Sequence, residues 1–275
     1  MNKHAFDCAL VTGASTGIGR EFACLLAEKG IDLIIVARSG DKLESLESEL
    51  SEKVNVEIVV ADLADREQRK RVLDKIYERV PGLVVNNAGW GYYGEALTYE
   101  TEASMNLLEV DVAALLEISL EAARAMVTNN KKGVIMNVSS SAAFQIMPCF
   151  SVYAASKAFV NLFSESFDGE MKPYGIRVLA CCPGMVDTKF RYRASDGEAK
   201  EAVPFSMTVE FAANEMWKQI EKGISLRAFD WKYRLSSFLT RYILPKRLVA
   251  KIVQKQVEKL HSKREIIPIN KEKEN

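Results

Sequence analysis

Residues 8–19 read CALVTGASTGIG: an apolar run, Cys8–Thr12, that passes through Thr12-Gly13-Ala14-Ser15-Thr16-Gly17-Ile18-Gly19 into an amphipathic stretch, Gly17–Lys29. An apolar run of this length reads as a buried strand, and the stretch after it as a helix. The glycines let the backbone turn tightly and come close to an anion. The unpaired N–H groups and dipole at the helix N-terminus favour negative charge there. A glycine-rich loop alone is weak evidence, because any tight turn calls for glycine. Between a strand and a helix it points to the pyrophosphate of a dinucleotide, cradled by Gly13, Ser15, Thr16, Gly17, Ile18 and Gly19.

Outward from this loop, strand and helix alternate. Apolar runs at Cys8–Thr12, Leu33–Ala37, Val56–Val60, Leu83–Asn86, Gly133–Val138 and Arg177–Cys182 predict strands. Helical stretches lie between them at Gly17–Lys29, Lys42–Ser51, Arg66–Val80, Glu102–Thr128 and Val152–Lys172. Nearly all-apolar strands separated by amphipathic helices imply an α/β fold: a Rossmann-type, doubly wound parallel sheet covered on both faces. With no internal repeat and no low-complexity linker, residues 1–275 read as a single dinucleotide-binding domain. Beyond Pro183-Gly184 the alternation fades. Residues 186–206 read as a substrate loop or lid, Thr208–Lys222 as a helix, and Gly223–Phe229 as a short strand. Residues 224–265 form a helical C-terminal extension, and 270–275 a disordered tail.

The 275 residues are 48% hydrophobic, enough for one well-buried core. Lys and Arg together number 37, as do Asp and Glu, so net charge gives no reason to expect a nucleic-acid partner. The five cysteines, Cys8, Cys24, Cys149, Cys181 and Cys182, show no metal-ligand spacing and read as reduced core thiols. Met1–Asp7 is short and polar, unlike a signal peptide. No apolar run approaches the roughly 20 residues that cross a bilayer. A cytoplasmic protein is the expectation.

The end of the second strand bears on which dinucleotide binds. NAD sites place a carboxylate about 20 residues past the glycines, on the ribose 2′-OH. This sequence has Val36-Ala37-Arg38-Ser39 there, a guanidinium that can pair with a 2′-phosphate. The cofactor expected is NADP(H) in preference to NAD(H). Asp41, close by, and a solvated role for Arg38 keep the other choice open.

Taken together, the motifs resemble those of the short-chain dehydrogenase/reductase family over most of residues 5–190. Thr12–Gly19 looks like that family's TGxxxGxG loop, and Asp62-Leu63 like its adenine-contacting pair. Asn86-Asn87-Ala88-Gly89 is similar to its NNAG segment. Ser140, Tyr153 and Lys157 match its catalytic serine and YxxxK pair. Pro183-Gly184, with Val186 and Thr188 after it, resembles its segment beside the nicotinamide carboxamide. Each piece alone is common; all in this order are specific.

The resemblance implies that Tyr153 gives and takes the proton of an alcohol–ketone interconversion. A phenol with its ordinary pKa near 10 does this poorly near neutrality. Lys157, one helical turn on, is expected to lower that pKa together with the positive nicotinamide of NADP⁺, and to bond the nicotinamide ribose. Ser140 would hold the carbonyl oxygen. Among the three consecutive serines Ser139, Ser140 and Ser141, strand alternation and the family's spacing favour Ser140, leaving Ser139 a structural hydrogen bond. One position departs from the family: many members carry an Asn in the middle of the fourth helix that anchors a water leading to the lysine, and this sequence has Asp111. Asn106 points roughly 140° away from it on a regular helix. An altered proton relay follows, in which Asp111 accepts hydrogen bonds and competes for the lysine's charge.

The walls expected around Tyr153 are apolar: Phe144, Ile146, Met147 and Phe150; Trp90, Tyr92 and Tyr93; Met185, Phe190, Tyr192 and Phe205. They suit a hydrophobic carbonyl or alcohol better than a sugar or a small acid. Arg191 and Arg193 fit either solvated lid charges or contacts to a carboxylate or phosphate tail. Trp231–Leu260 reads as helix, interrupted at Pro245. Arg234, Arg241, Lys246, Arg247, Lys251, Lys255 and Lys259 make it basic, and Leu248, Val249, Ile252, Val253, Val257 and Leu260 form one stripe. Packing on the core or on a partner subunit is favoured over contact with a membrane surface. The resemblance implies a homodimer or homotetramer. A non-catalytic NADP-binding protein of the same fold is the alternative function, and a nucleotide-sugar epimerase fits less well.

Overall fold

In a computed structural model, which describes residues 6–195, 197, 206–243, 245, 250–251 and 254, the apolar runs form a seven-stranded sheet. The strands are β1 (Cys8–Thr12), β2 (Asp32–Ala37), β3 (Val56–Val60), β4 (Leu83–Asn86), β5 (Gly133–Val138), β6 (Ile176–Cys182) and β7 (Leu226–Ala228). Their order is β3-β2-β1-β4-β5-β6-β7, and every neighbouring pair is parallel. The chain winds outward from β1 to β3 and returns to lay β4 on the other side of β1. The crevice at the carboxyl ends of β1 and β4 is therefore the topological switch point.

Side-chain alternation divides the core into two layers. Ala9 and Val11, Leu33 and Ile35, Leu83 and Val85, and Leu179 and Cys181 face α1 (Gly17–Glu28), α2 (Gly40–Leu50) and α8 (Val209–Lys222). Leu10, Ile34, Val36, Val84, Ile135 and Val178 face α3 (Arg66–Arg79), α5 (Leu115–Thr128) and α6 (Ser151–Met171). Each fully buried Leu or Ile contributes about 1.5–3 kcal/mol. The doubly wound architecture follows from sequence as expected.

One element differs from expectation and another is settled between two readings. Glu102–Thr128, read as one helix, is α4 (Thr101–Leu108) and α5 joined by a π-helical turn, Glu109–Ala114. The wider turn brings Asp111 fully into the interior. Buried Arg69 braces it, pairing with Glu109 at 3.0 Å and Glu117 at 2.9 Å. The segment after β6, read from sequence as a long loop or small helical excursion, carries α7 (Phe190–Ala194), and Val186 bridges to Met207. Position 196 and positions 198–205, Phe205 among them, lie outside the described residues.

Beyond β7, α9 (Trp231–Phe238) runs into a π-helical turn, Leu239–Ile243, and Pro245 is non-helical. The stripe Leu248, Val249, Ile252, Val253, Val257 and Leu260, the basic residues Lys246, Arg247, Lys255 and Lys259, and the tail 270–275 lie outside the described residues. No helix among the described residues is long and apolar enough to cross a membrane.

Candidate active site

The glycine loop sits at the switch point. Gly13 has φ +66, and a Cβ there would lie 2.8 Å from Asn87 Nδ2 and 2.9 Å from Ala88 Cα. The loop is clamped from below: the N–H groups of Asn87 and Ala88 both donate to Thr12 Oγ1 at 3.0 Å, and Asn87 Nδ2 donates to the Thr12 carbonyl at 2.9 Å. Asn87 and Ala88 thus brace the loop. At the start of α1, Thr16 makes no side-chain cap and the first turn holds no acid. By contrast α3 is capped by Asp65 and α8 by Thr208. An uncapped helix start with free donors, reached through a tight glycine turn, fits a pyrophosphate. The Thr188 methyl lies 3.2 Å from where a Cβ on Gly17 would stand, so the segment after β6 closes over this loop.

Arg38 and Asp62 end adjacent strands, with Arg38 Nη1 3.7 Å from Asp62 Oδ2. The Arg38 guanidinium also lies 5.4 Å from the centre of the Trp90 ring. Asp62 Oδ1 accepts from the Ala64 N–H, and the buried Leu63 gives its carbonyl to Arg69.

Ser140 leaves β5 in extended conformation and caps the short turn Ser141–Phe144, accepting from the Ala142 N–H at 3.1 Å. Its hydroxyl also hydrogen-bonds Tyr153, which enters from the first turn of α6. Ser139 turns the other way and donates to the Lys157 carbonyl at 3.0 Å. The separate placement of the two serines is the one that strand alternation predicts. Lys157, one turn after Tyr153, is buried; its Nζ lies 5.5 Å from the Tyr153 ring centre and donates to the Val138 carbonyl at 3.3 Å.

Asp111 meets this group from the π-helical turn. Its Oδ2 is 3.0 Å from Lys157 Nζ, and its Oδ1 accepts from the Trp90 N–H at 3.0 Å. Gly89 borders the pair, with Asp111 Oδ1 3.0 Å and Lys157 Nζ 3.1 Å from where a Cβ would stand. Burial pushes the Asp111 carboxyl above its ordinary range, opposed by Lys157 and by the hydrogen bonds from Trp90 and Ser156. Asn106 is exposed.

The Tyr153 hydroxyl is pushed well above the ordinary tyrosine value. Burial is the main cause and the Asp111 carboxylate the next; the Ser140 hydrogen bond opposes them.

Aromatic side chains roof Tyr153. Phe150 stacks on it at 4.3 Å, Tyr93 stacks on Phe150 at 4.1 Å, and Phe190 of α7 leans on Tyr153 at 5.5 Å. Trp90, Tyr92 and Met147 pack in the same cluster. Of the other expected wall residues, Phe144 is half-buried, and Ile146, Met185 and Tyr192 are exposed. Cys181 and Cys182 are buried free thiols, and Cys182 donates to Asn161 Oδ1. No group of His, Cys, Asp or Glu among the described residues is arranged to hold a metal ion.

Two features escape the sequence reading. Asn86 and Asn137, register partners on β4 and β5, join Ser119 of α5 and Ser164 of α6 in a buried chain. Asn86 Nδ2 donates to Asn137 Oδ1 at 2.9 Å and to Ser119 Oγ at 3.0 Å, and Asn137 Nδ2 donates to Ser164 Oγ at 3.0 Å. Amides inside apolar strands were the available signal. The second is Tyr233 of α9, whose hydroxyl accepts from the Met185 N–H at 3.1 Å and whose ring covers Gly184, leaving no room there for a Cβ. Pro183 completes this corner by accepting from the Ser141 N–H.

A family profile described as short chain dehydrogenase matches residues 7–199. The very-long-chain 3-oxoacyl-CoA reductase of Rattus norvegicus is 33% identical over 197 residues, which cover 66% of this chain and 60% of that protein. Hydroxysteroid dehydrogenase-like protein 1 of Gallus gallus is 31% identical over 217 residues, 75% of this chain and 63% of that one. This chain thus spans less than two thirds of the length of these curated relatives. A short-chain dehydrogenase from Sphingobium yanoikuyae, solved in complex with NADPH, superposes with a TM-score of 0.77 at 28% identity, covering 84% of this chain and 91% of that one. The sheet order agrees with that match, and the chain belongs to the short-chain dehydrogenase family of oxidoreductases.

Proposed function

We propose that the protein is an NADP(H)-dependent reductase that converts a hydrophobic ketone to its secondary alcohol. The observation that carries this reading is the convergence of Ser140, at the end of β5, with Tyr153 and Lys157, one turn apart on α6, beneath the rings of Phe150 and Phe190. Reduction takes a proton from the Tyr153 oxygen and oxidation returns one to it; the direction follows the supply of NADPH.

The chain's residues fit the cofactor. Gly13, Ser15, Thr16, Gly17, Ile18 and Gly19 would hold the pyrophosphate, Arg38 a 2′-phosphate, and Asp62 and Leu63 the adenine. Asn87, Ala88, Gly89, Tyr153 and Lys157 would hold the nicotinamide ribose side, and Pro183, Gly184, Val186 and Thr188 the carboxamide. The bound nicotinamide supplies hydride to the carbonyl carbon. Ser140 donates a hydrogen bond to the oxygen that gains charge, and Tyr153 gives that oxygen its proton as the C=O π bond breaks. Lys157, fixed by Asp111 and the Val138 carbonyl, keeps a cation beside the phenolate that remains. Asp111 lies on the route by which that proton is replaced. The roof of Phe150, Tyr93 and Phe190 excludes water and suits a lipophilic substrate. The NADPH of the Sphingobium yanoikuyae structure supports the cofactor, and the reductase name of the rat relative supports the direction.

The pairing of Lys157 with Asp111 favours one second reading, a protein that binds NADP without turning over a ketone. NADPH consumption across a panel of hydrophobic ketones, with Tyr153→Phe as control, separates the two. A reductase loses at least about 100-fold in kcat with the phenol, on the scale of a general acid. Absence of turnover by the unaltered protein, with NADPH binding intact, would leave the second reading standing.

A further inference from the structure

Sequence reading leaves Arg191 and Arg193 on the same footing, but the structure separates them. Arg193 is exposed and donates from Nε to the Lys189 carbonyl at 3.3 Å. Arg191 turns inward: its Nη1 is buried and, among the described residues, has no hydrogen-bond partner. The same guanidinium favours the ionised form of the Tyr93 hydroxyl, against the burial that raises its pKa. Tyr93 stacks on Phe150, which stacks on Tyr153, so Arg191 reaches a ring only two stacking distances from the catalytic phenol. The Tyr93 N–H also donates to the Ala194 carbonyl at 2.7 Å, which fixes α7 against this loop. A second buried donor of the same aromatic cluster, Trp90 Nε1, is likewise without a partner among the described residues.

A buried guanidinium donor left without an acceptor is costly, and a charged acceptor satisfies it best. From Lys189 to Arg193 the segment carries Lys189, Arg191 and Arg193 and no acid. We infer that Arg191 is a substrate-recognition residue that binds an anionic group, carboxylate or phosphate, borne by the ketone several atoms from its carbonyl. This rests on the ketone-reductase reading above and narrows its substrate class from lipophilic to lipophilic with one anionic end. The roof takes the apolar body, Ser140 and Tyr153 take the carbonyl, and Arg191 takes the charge.

The test compares kcat/KM for three ketones of one chain length, ending in a carboxylate, its methyl ester or a phosphate, using the unaltered protein, Arg191→Met and Arg191→Lys. The expected result is a preference of about tenfold or more for an anionic end, lost in Arg191→Met by a fall in the acids alone and partly kept in Arg191→Lys. The NADPH KM and the ester rate should stay unchanged. Whichever anion loses more on substitution identifies the group recognised. Equal falls for acid and ester, or a rise in NADPH KM, would overturn the inference, since Arg191 would then serve the lid or the cofactor. Calorimetric binding of the acid and the ester to NADPH-loaded protein keeps the two readings distinct. If no ketone is reduced, the proposed reaction fails. Arg191 is then judged by whether the acid alone binds and whether Arg191→Met abolishes that binding.

Discussion

Asp111 Oδ2 stands 3.0 Å from Lys157 Nζ, both side chains buried, at a position where many members of the family carry an amide. The pair couples the π-helical turn to α6. Second to burial, it also raises the proton affinity of Tyr153, because the carboxylate that holds the lysine opposes tyrosinate.

Asp111→Asn should therefore lower the Tyr153 pKa, since the carboxylate that raises it is gone. The alkaline limb of the pH–rate profile for ketone reduction should move to lower pH, with kcat at pH 7 altered less than its pH dependence. An unchanged profile would remove Asp111 from the proton path. Asp111→Ala should cost about 3–5 kcal/mol of stability, because it leaves the Lys157 ammonium buried and unpaired.

Arg38 points its guanidinium between Asp62 and Trp90 at the ends of β2 and β3. Arg38→Ala should raise the NADPH KM about tenfold and leave the NADH KM unchanged, on the scale of one charge-assisted contact. Parallel losses for both cofactors would assign Arg38 to the strand end and not to a 2′-phosphate.

The ring of Tyr233 covers Gly184, and a Cβ there would lie 2.2 Å from the ring carbons. Gly184→Ala should push α9 off the Pro183-Gly184 corner, costing about 1–3 kcal/mol as overpacking does. Adding Tyr233→Ala should recover most of that loss, giving a strongly non-additive double-mutant cycle. Additive effects would mean that the two residues do not share this contact.

Asp168 binds β6 and β7 to α6. It accepts from Arg177 at 2.8 and 2.9 Å, from the Val178 N–H at 2.9 Å and from Ser225 at 3.0 Å. Burial raises its carboxyl pKa, but these partners together outweigh burial and leave it below the ordinary value of 3.8. A folded-state pKa below the unfolded one means that the stabilisation is complete above about pH 4 and fades as pH falls through the folded value. Asp168→Ala should thus lose about 3–5 kcal/mol at pH 7 by denaturant titration, and the gap to the unaltered protein should narrow toward pH 3. A gap independent of pH would attribute the loss to packing.

The strands and most helices were legible because their apolar period is a local property of the chain. So was the grouping of Ser140, Tyr153 and Lys157, which depends on one strand end and one helical turn. The π-helical turn at Glu109–Ala114 was not, since it answers to Arg69 and Lys157, which reach it from other elements. Tyr233 lies 49 residues after Gly184, and nothing in the intervening pattern ties them. Arg191 could be named from sequence, but its inward turn could not.

The buried chain from Asn86 through Asn137 also bears on how the protein avoids misfolding. Apolar strands can slide past one another at little loss, because one valine replaces another. Amides cannot. A slip of β4 against β5 would strand each of these polar groups at about 1–3 kcal/mol. The two amides act as an alignment mark between strands whose next residues are Asn87–Gly89 and Ser139–Ser140. The segments that bound the catalytic crevice are thereby delivered in step as the sheet assembles.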